Sequence, residues 1–373
     1  MVIRVGFNAS GLATLKHQTG VERYMGSLLR ALAARADSDG IHLTLYFGDP
    51  PHREMPTLAG LTPSDVIRWR VAPTLRGWLR VGMGVAMVLD RIQVFHFPAS
   101  LMAGFCPAPA VVTFHDLAAL SLSPDQTAKE RRYLADALDA GRRAKALIAV
   151  SSTAAAEVRQ YLGRHDVIAI PEGVDLTQFA PAPPEAVAAL RARLGVGEYF
   201  LCVGTLQTRK NHLGLIRAFE QIAEQVPHDL VIAGGDGSGA AAIRAYLAER
   251  PNPRVRLVGY LPDSDLPALY TGATALALPS FWEGFGLPLL EAMACGTPVL
   301  TSNVSSLAEV AGAAAVLVDP ADEGAIGRGL LALATDSALR GRLIQAGRER
   351  AEAYSWAEAA RRTAAVYRQV AGG

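Results

Sequence analysis

Apolar runs of strand length alternate with helix-period stretches from one end of the chain to the other, and few architectures accommodate that alternation. A first set comprises Ile3 to Phe7, Leu43 to Phe47, Val94 to Phe97, Val111 to Phe114, Ala146 to Val150 and Val167 to Ile170. A second comprises Tyr199 to Val203, Leu230 to Ala233, Val255 to Val258, Thr274 to Leu278, Pro298 to Thr301 and Ala315 to Val318. Strands and helices in this order are the signature of parallel sheets flanked by helices. Between the sets, Ala180-Pro-Ala-Pro-Pro184 breaks the pattern and reads as an exposed linker. At 373 residues the chain is long enough for two separate cores. The expected fold is α/β: two doubly wound, Rossmann-like parallel-sheet domains, 1–180 and 187–355, facing one another across a cleft, with a last helix within 356–373. Ligands of such sheets bind beyond the carboxyl ends of the strands, so chemistry is sought in those loops.

Composition narrows the function classes. A content of 50% hydrophobic and 19% charged residues is that of a globular enzyme, and a net charge of +1 carries no nucleic-acid footprint. No apolar run approaches the ~20 residues a membrane span needs. The first residues, Met1 to Asn8, lack the layout of a signal peptide and read as a buried strand. Cys106, Cys202 and Cys295 have neither zinc-site spacing nor an even count, so free thiols in a reducing, cytoplasmic compartment are expected. The stretch Arg68 to Arg80, followed by Val81 to Leu89, mixes arginines, tryptophans and an apolar run suited to an anionic bilayer surface. An ordinary amphipathic helix covering a sheet explains it equally well.

Three loops carry candidate chemistry. In Pro279-Ser-Phe-Trp-Glu-Gly-Phe-Gly-Leu-Pro-Leu-Leu-Glu291 a glycine-bracketed turn precedes a helix opened by Pro288. The amides of Gly284, Phe285, Gly286 and Leu287, backed by the helix dipole, suit a phosphate or sugar hydroxyl, and Glu283 and Glu291 suit hydroxyl pairs. Acidic residues near a helix start are also common on plain surface helices. In Val203-Gly-Thr-Leu-Gln-Thr-Arg-Lys-Asn-His212, Arg209 can fork onto two phosphate oxygens while Lys210 acts as a point charge; the bland reading is a solvated basic pair. In Phe114-His-Asp116, His115 and Asp116 emerge at the carboxyl end of a strand, although a lone histidine is usually structural. The Asp-x-Asp pairs Asp37-Ser-Asp39 and Asp263-Ser-Asp265 have local explanations, a polar loop and a helix cap at Asp265, so no metal site is expected. Gly234-Gly-Asp-Gly-Ser-Gly239 lacks dinucleotide and P-loop spacing and reads as a flexible turn.

The block from Glu283 through Glu291-Ala-Met-Ala-Cys-Gly-Thr-Pro-Val299 resembles the carboxy-terminal signature of the retaining glycosyltransferases of family 4, which have the GT-B architecture. The resemblance implies a nucleotide-sugar donor and no cofactor or metal. It makes Arg209-Lys210 the diphosphate grip, assigns Glu283 to the donor sugar and Glu291 to the ribose, and seats the base against Val258, Gly259 and Tyr260. His115 would contact the donor sugar near its reacting carbon; Asp116 would set the imidazole or meet the acceptor. The loop Asn8 to Tyr24 resembles the family's first loop, in which Gly20 permits backbone approach to the diphosphate; His17, Arg23 and Tyr24 are candidate acceptor contacts. Thr205 departs from relatives that carry an arginine there and is similar to the mannosyltransferase subset. Ser302-Asn-Val-Ser-Ser-Leu-Ala-Glu309 looks like members that build bacterial polysaccharides and lipopolysaccharides, so GDP-mannose is the expected donor and a saccharide or polyprenyl-linked saccharide the expected acceptor. The family also implies a last helix crossing back onto the first domain, and peripheral contact at the inner face of the plasma membrane. A UDP-sugar transferase, a GT-B phosphorylase or epimerase, and a silent nucleotide-sugar binding module stay open as alternatives.

Overall fold

The computed structural model describes residues 2–14, 20–49, 58, 60–72, 77–117 and 128–372. The chain divides into two compact units, Met1–Gly173 with Trp356–Gly373, and Val174–Ser355.

Unit 1 is built on a seven-stranded sheet of order β3-β2-β1-β4-β5-β6-β7. Its strands are β1 (Ile3–Asn8), β2 (Ile41–Phe47), β3 (Ile67–Val71), β4 (Val94–Phe97), β5 (Ala110–Phe114), β6 (Ala146–Ala149) and β7 (Val167–Ala169), and every pairing is parallel. Strands β4 and β5 are buried along their whole length, which is why they read as unbroken apolar runs. Phe95, Phe97, Val112, Phe114 and Leu147 join Met83 and Met87 in the core.

Strand β3 departs from the sequence expectation. Half of the arginine- and tryptophan-rich stretch forms this edge strand, with Ile67 buried, Arg68 and Arg70 exposed and Trp69 half-buried between them. That is the period of two of a strand with one wet face. Trp69 donates Nε1–H to the Leu61 carbonyl at 2.8 Å and lies edge-on to Phe47; Arg70 pairs with Asp90. Arg70 and the Tyr46 hydroxyl thereby hold Asp90 below its usual range against the opposing pull of burial. A π-helical turn, Trp78–Gly82, then runs into helix Met83–Leu89, which turns Met83, Gly84, Ala86 and Met87 inward. Leu79, Val81, Val85, Val88 and Leu89 stay exposed. Among the described residues no helix is long and apolar enough to cross a membrane.

The last helix, Trp356–Gly372, belongs to unit 1. It buries Ala359, Ala360, Thr363, Ala364 and Tyr367, and its Tyr367 hydroxyl lies 2.6 Å from His96 Nδ1 on β4. Arg362 donates to the Ala169 carbonyl at the end of β7.

Unit 2 carries a six-stranded sheet of order β10-β9-β8-β11-β12-β13, again parallel throughout. Its strands are β8 (Tyr199–Val203), β9 (Asp229–Ala233), β10 (Val255–Gly259), β11 (Ala275–Leu278), β12 (Val299–Ser302) and β13 (Ala315–Val318). The proline-rich stretch lies inside this unit: Pro184 opens helix Pro184–Leu194, and Ala182 donates its N–H to Thr271 Oγ1 at 2.9 Å. The chain crosses between units at Gly173–Val174 and at Ser355–Trp356 instead.

Candidate active site

Strand order in unit 2 reverses between the neighbours β8 and β11, and crevices at such a reversal are where open α/β sheets bind ligands. The Arg209-Lys210 loop follows β8 and the Glu283 loop follows β11, so topology alone brings them to one place. After β8 the chain turns at Gly204 (φ 148°), and the Lys210 stem crosses it; a Cβ at Gly204 would sit 3.0 Å from Lys210 Cδ and Cε. Thr208–Lys210 form a 3-10 turn. Asn211 then adopts φ 56° to start helix His212–Glu220, its side chain tied to the Pro320 carbonyl at 2.7 Å. Asparagine is one of the few residues that accept this left-handed backbone.

Both cations close on a single carboxylate. Lys210 Nζ is 2.5 Å from Glu283 Oε1, and Arg209 NH1 is 2.5 Å from Oε2 while also donating to the Trp282 carbonyl at 2.7 Å. Phe281 donates its N–H to the Arg209 carbonyl at 2.8 Å, so backbone as well as side chains joins the two loops. Burial opposes ionisation of Glu283, but the charges and hydrogen bonds of Lys210 and Arg209 outweigh it and hold the carboxyl at about 2. Two cations against one carboxylate leave one net positive charge. Glu283, which the resemblance gives to the donor sugar, is 7% exposed here and serves as counter-ion to the cation pair.

Four serine hydroxyls brace the loop that carries this carboxylate. Ser280 donates to Glu283 Oε1 at 3.0 Å, Ser302 to the Ser280 carbonyl at 2.6 Å, and Ser306 to the carbonyls of Glu283 and Phe285 at 2.7 and 3.0 Å. Ser305 Oγ lies 3.4 Å from the Glu283 amide and holds φ 58°. Among the described residues only Arg91, Asn211 and Ser305 are non-glycines with positive φ, and the last two flank the ion cluster. Strain of this kind gathers at functional sites.

Gly286 (φ 112°) turns the chain into helix Leu287–Ala294, with Pro288 in its first turn. That helix is apolar on nearly every side and sinks into the unit, taking Glu291 with it. The carboxylate is 2% exposed and accepts the Tyr270 hydroxyl on Oε2 at 2.6 Å. Phe285 and Leu287 are buried too, the Phe285 ring packing edge-on to Tyr354 at 5.7 Å.

The glycine-rich loop after β9 is pinned, not loose. A Cβ on Gly234 would lie 2.0 Å from the Gly204 carbonyl oxygen, and one on Gly237 2.9 Å from that of Leu206. Backbone bonds Leu206 N to Gly235 O, 2.9 Å, and Gly239 N to Leu206 O, 2.8 Å, press the two loops together. The glycines allow this close approach and so fix the loop that carries Thr205, Arg209 and Lys210. At the end of β10, Val258 is half-buried and Gly259 takes φ 70°; just beyond it Tyr260 is 37% exposed.

In unit 1, His115 does emerge at the end of β5, with its side chain 16% exposed. Neither ring nitrogen is left over for a sugar. Nε2 is 2.9 Å from the Pro98 carbonyl and Nδ1 is 3.4 Å from Glu172 Oε1. Burial lowers its pKa, but Glu172, the Pro98 carbonyl and the charge of Asp116 together raise it above the ordinary histidine value. Glu172, which sequence reasoning missed, therefore takes the role expected of Asp116 in setting the imidazole. Tyr24 is also corrected: it is 3% exposed, its hydroxyl 3.1 Å from Thr113 Oγ1 and its ring edge-on to His115, so it belongs to the interior of unit 1. Gly20 opens helix Gly20–Ala34, with no atom within 4 Å of where a Cβ would stand. Arg23 is half-buried on the same helix, and His17 lies outside the described residues.

Of the acidic pairs, Asp39 sits in the short helix Ala36–Asp39 and pairs with Arg35 and Arg368. Asp265 pairs with Arg193 and makes no side-chain cap, contrary to expectation. Among the described residues no group of three His, Cys, Asp or Glu side chains could hold a metal ion. Of the other residues missed, Ser302, Ser305 and Ser306 lie in a block legible only as a resemblance, and Tyr270 carried no signal.

Residues 193–350 match the family model described as glycosyl transferases group 1, and residues 18–178 the one described as glycosyltransferase family 4. The chain is 35% identical over 271 residues to the O-antigen chain mannosyltransferase B of Escherichia coli, across 69% of this chain and 70% of that protein. It is 33% identical over 296 residues to a D-inositol 3-phosphate glycosyltransferase of Xylanimonas cellulosilytica, across 74% and 70% respectively. Sucrose-phosphate synthase from Thermosynechococcus elongatus superposes with a TM-score of 0.76 at 23% identity over 99% of both chains. Anabaena HepE in complex with UDP-glucose gives 0.77 at 18% identity over 98% of this chain and 100% of that one. At such identities the likeness speaks for the fold.

Proposed function

The chain belongs to the group 1 and family 4 glycosyltransferases and has their GT-B fold, and from that premise we propose that it moves mannose from GDP-mannose, with retention, to a saccharide or lipid-linked saccharide in bacterial polysaccharide or lipopolysaccharide synthesis. The observation that carries the reading is the Arg209-Lys210 pair held on Glu283 at the strand reversal of unit 2. One net positive charge, preorganised and partly desolvated, suits a sugar nucleotide whose diphosphate gains charge as the glycosidic bond breaks. In this proposal the leaving group takes Arg209 and Lys210 as partners, Glu283 keeps both oriented, and the amides of Gly284 and Gly286 meet the donor. Glu291 serves the ribose, Tyr260 and Val258 the base, and Gly20 the diphosphate. His115 acts in the transfer step, and Asp116 meets the acceptor. The cations supply the charge that a metal would otherwise supply, so donor binding is expected to survive a chelator.

The choice of mannose rests on the 35% identity to a mannosyltransferase. A thermal-shift panel of GDP-, UDP-, ADP- and dTDP-sugars, with and without chelator, tests it, since stabilisation follows affinity. GDP-mannose is expected to raise Tm most. A UDP-sugar that stabilises where GDP-mannose does not replaces the donor and leaves the chemistry standing. Peripheral contact with an anionic membrane is proposed for the exposed face of Leu79, Val81, Val85, Val88 and Leu89 beside Arg80. Vesicle flotation at low and high salt decides that point; no binding in either sinks it.

A further inference from the structure

Two histidines of unit 1 sit in opposite surroundings, and the contrast assigns a role to Glu172. His96, on β4, is fully buried between hydroxyls: Tyr367 OH at 2.6 Å from Nδ1 and Thr113 Oγ1 at 2.8 Å from Nε2. A hydroxyl donates or accepts, so a neutral ring satisfies both bonds. Burial and the charge of His115 indeed hold His96 down at about 3.

His115 has no such freedom. The Pro98 carbonyl on Nε2 can only accept, and the ionised Glu172 carboxylate facing Nδ1 can only accept. Both nitrogens must carry protons to satisfy these partners, which makes the ring an imidazolium. Glu172, just before the end of unit 1 at Gly173, is 4% exposed, and a buried carboxylate persists in its ionised form when paired with a cation. Among the described residues, the groups facing His115 include Glu172 from the segment after β7, Asp116 beside it, neutral His96 on the adjacent strand and the Tyr24 ring edge at 4.7 Å.

We infer that Glu172 is a positioning residue that keeps His115 doubly protonated where a free histidine is neutral, so that the carboxyl edge of the unit 1 sheet holds an imidazolium–carboxylate pair whose ring is fixed for the transfer step. The pair adds no net charge of its own, so Glu172 acts by fixing the orientation and protonation of the ring and not by adding positive charge to the sheet edge. The titration of His115 stands by itself; only its catalytic consequence rests on the glycosyltransferase reading.

The test follows His115 in the full chain by NMR of ¹³C-labelled histidine, its signal assigned by loss in His115→Asn. The wild-type midpoint is expected above the ordinary ~6.5. Glu172→Gln lowers it by about one unit or more, and Glu172→Asp restores part of the loss. In parallel, nucleoside diphosphate release from GDP-mannose and from UDP-glucose is measured against pH. Glu172→Gln is expected to fall progressively further below wild type as pH rises, by up to about tenfold, one unit of midpoint being a factor of ten. A wild-type midpoint at or below ~6.5, which needs no variant to fold, overturns the inference. So does a midpoint unmoved in Glu172→Gln. Wild type that releases nucleotide from no sugar nucleotide of the donor panel sinks the functional reading, while the titration still decides the pair.

Discussion

Glu283 meets two cations with two oxygens, and the consequence is measurable without knowing the substrate. Its carboxyl sits at about 2, below the usual 4.5, because the charges and hydrogen bonds of Lys210 and Arg209 overcome burial. A group with a depressed folded pKa contributes stability that is fully present above its unfolded value and lost as pH falls through the folded one. The contribution is therefore complete above about pH 4.5 and disappears toward pH 2. Glu283→Gln is expected to flatten that acid limb of the Tm profile. At neutral pH it also costs about 3–5 kcal/mol in denaturant titration, because it leaves Lys210 buried without its partner. An acid limb as steep as wild type's would rule out the pairing. Lys210→Ala is expected to lower turnover by roughly 10²–10³, the loss seen when a charge-stabilising donor is removed, with donor KM changed far less. Unchanged kcat would remove Lys210 from the chemistry.

At the scale of elements, the site is two loops after β8 and β11 held by a third after β9. Gly234 and Gly235 are adjacent in that third loop yet stand in opposite surroundings. A Cβ on Gly234 would lie 2.0 Å from the Gly204 carbonyl oxygen, while one on Gly235 would meet nothing within 4 Å. Gly234→Ala is expected to destabilise by about 1–3 kcal/mol and to weaken nucleotide-sugar binding by pushing the Arg209-Lys210 loop off Glu283. Gly235→Ala is expected to stay within about 0.5 kcal/mol of wild type. Equal effects in chemical denaturation would show that loop contact is not what the glycine supplies. The dense glycines were visible in the sequence and their purpose was not, because a close approach is a property of the partner backbone as much as of the residue.

At the scale of the molecule, the chain leaves unit 1 at Gly173, completes unit 2 and returns at Trp356 to finish the first unit with its last helix. Tyr367 on that helix reaches His96, which reaches Thr113, which meets Tyr24. Tyr367→Phe removes one hydroxyl and leaves a buried imidazole nitrogen without its partner, an expected loss of about 1–3 kcal/mol. Hydrogen exchange should then quicken in β4 and β5 of unit 1 and not in the strands of unit 2. Faster exchange in both units alike would mean that they do not unfold separately.

Periodicity determined most of the architecture. Twelve of the strands were legible as short apolar runs, since a parallel strand covered on both faces tolerates little polarity. β3 was not, because at the sheet edge its arginines face water and resemble a basic surface helix. Residue types and motif also determined where ionisable groups gather: Arg209, Lys210 and Glu283 lie in loops after strands and His115 at a strand end, where sequence placed them. Partners were decided only in three dimensions. Glu283 read as a sugar contact until β8 and β11 became neighbours, Tyr24 looked like a substrate contact until its helix packed inward, and Glu172 had no signal until the segment after β7 reached the end of β5. A sequence records what each group can donate or accept; only the packed structure decides which groups are close enough to satisfy one another, and that proximity sets burial, charge and protonation together.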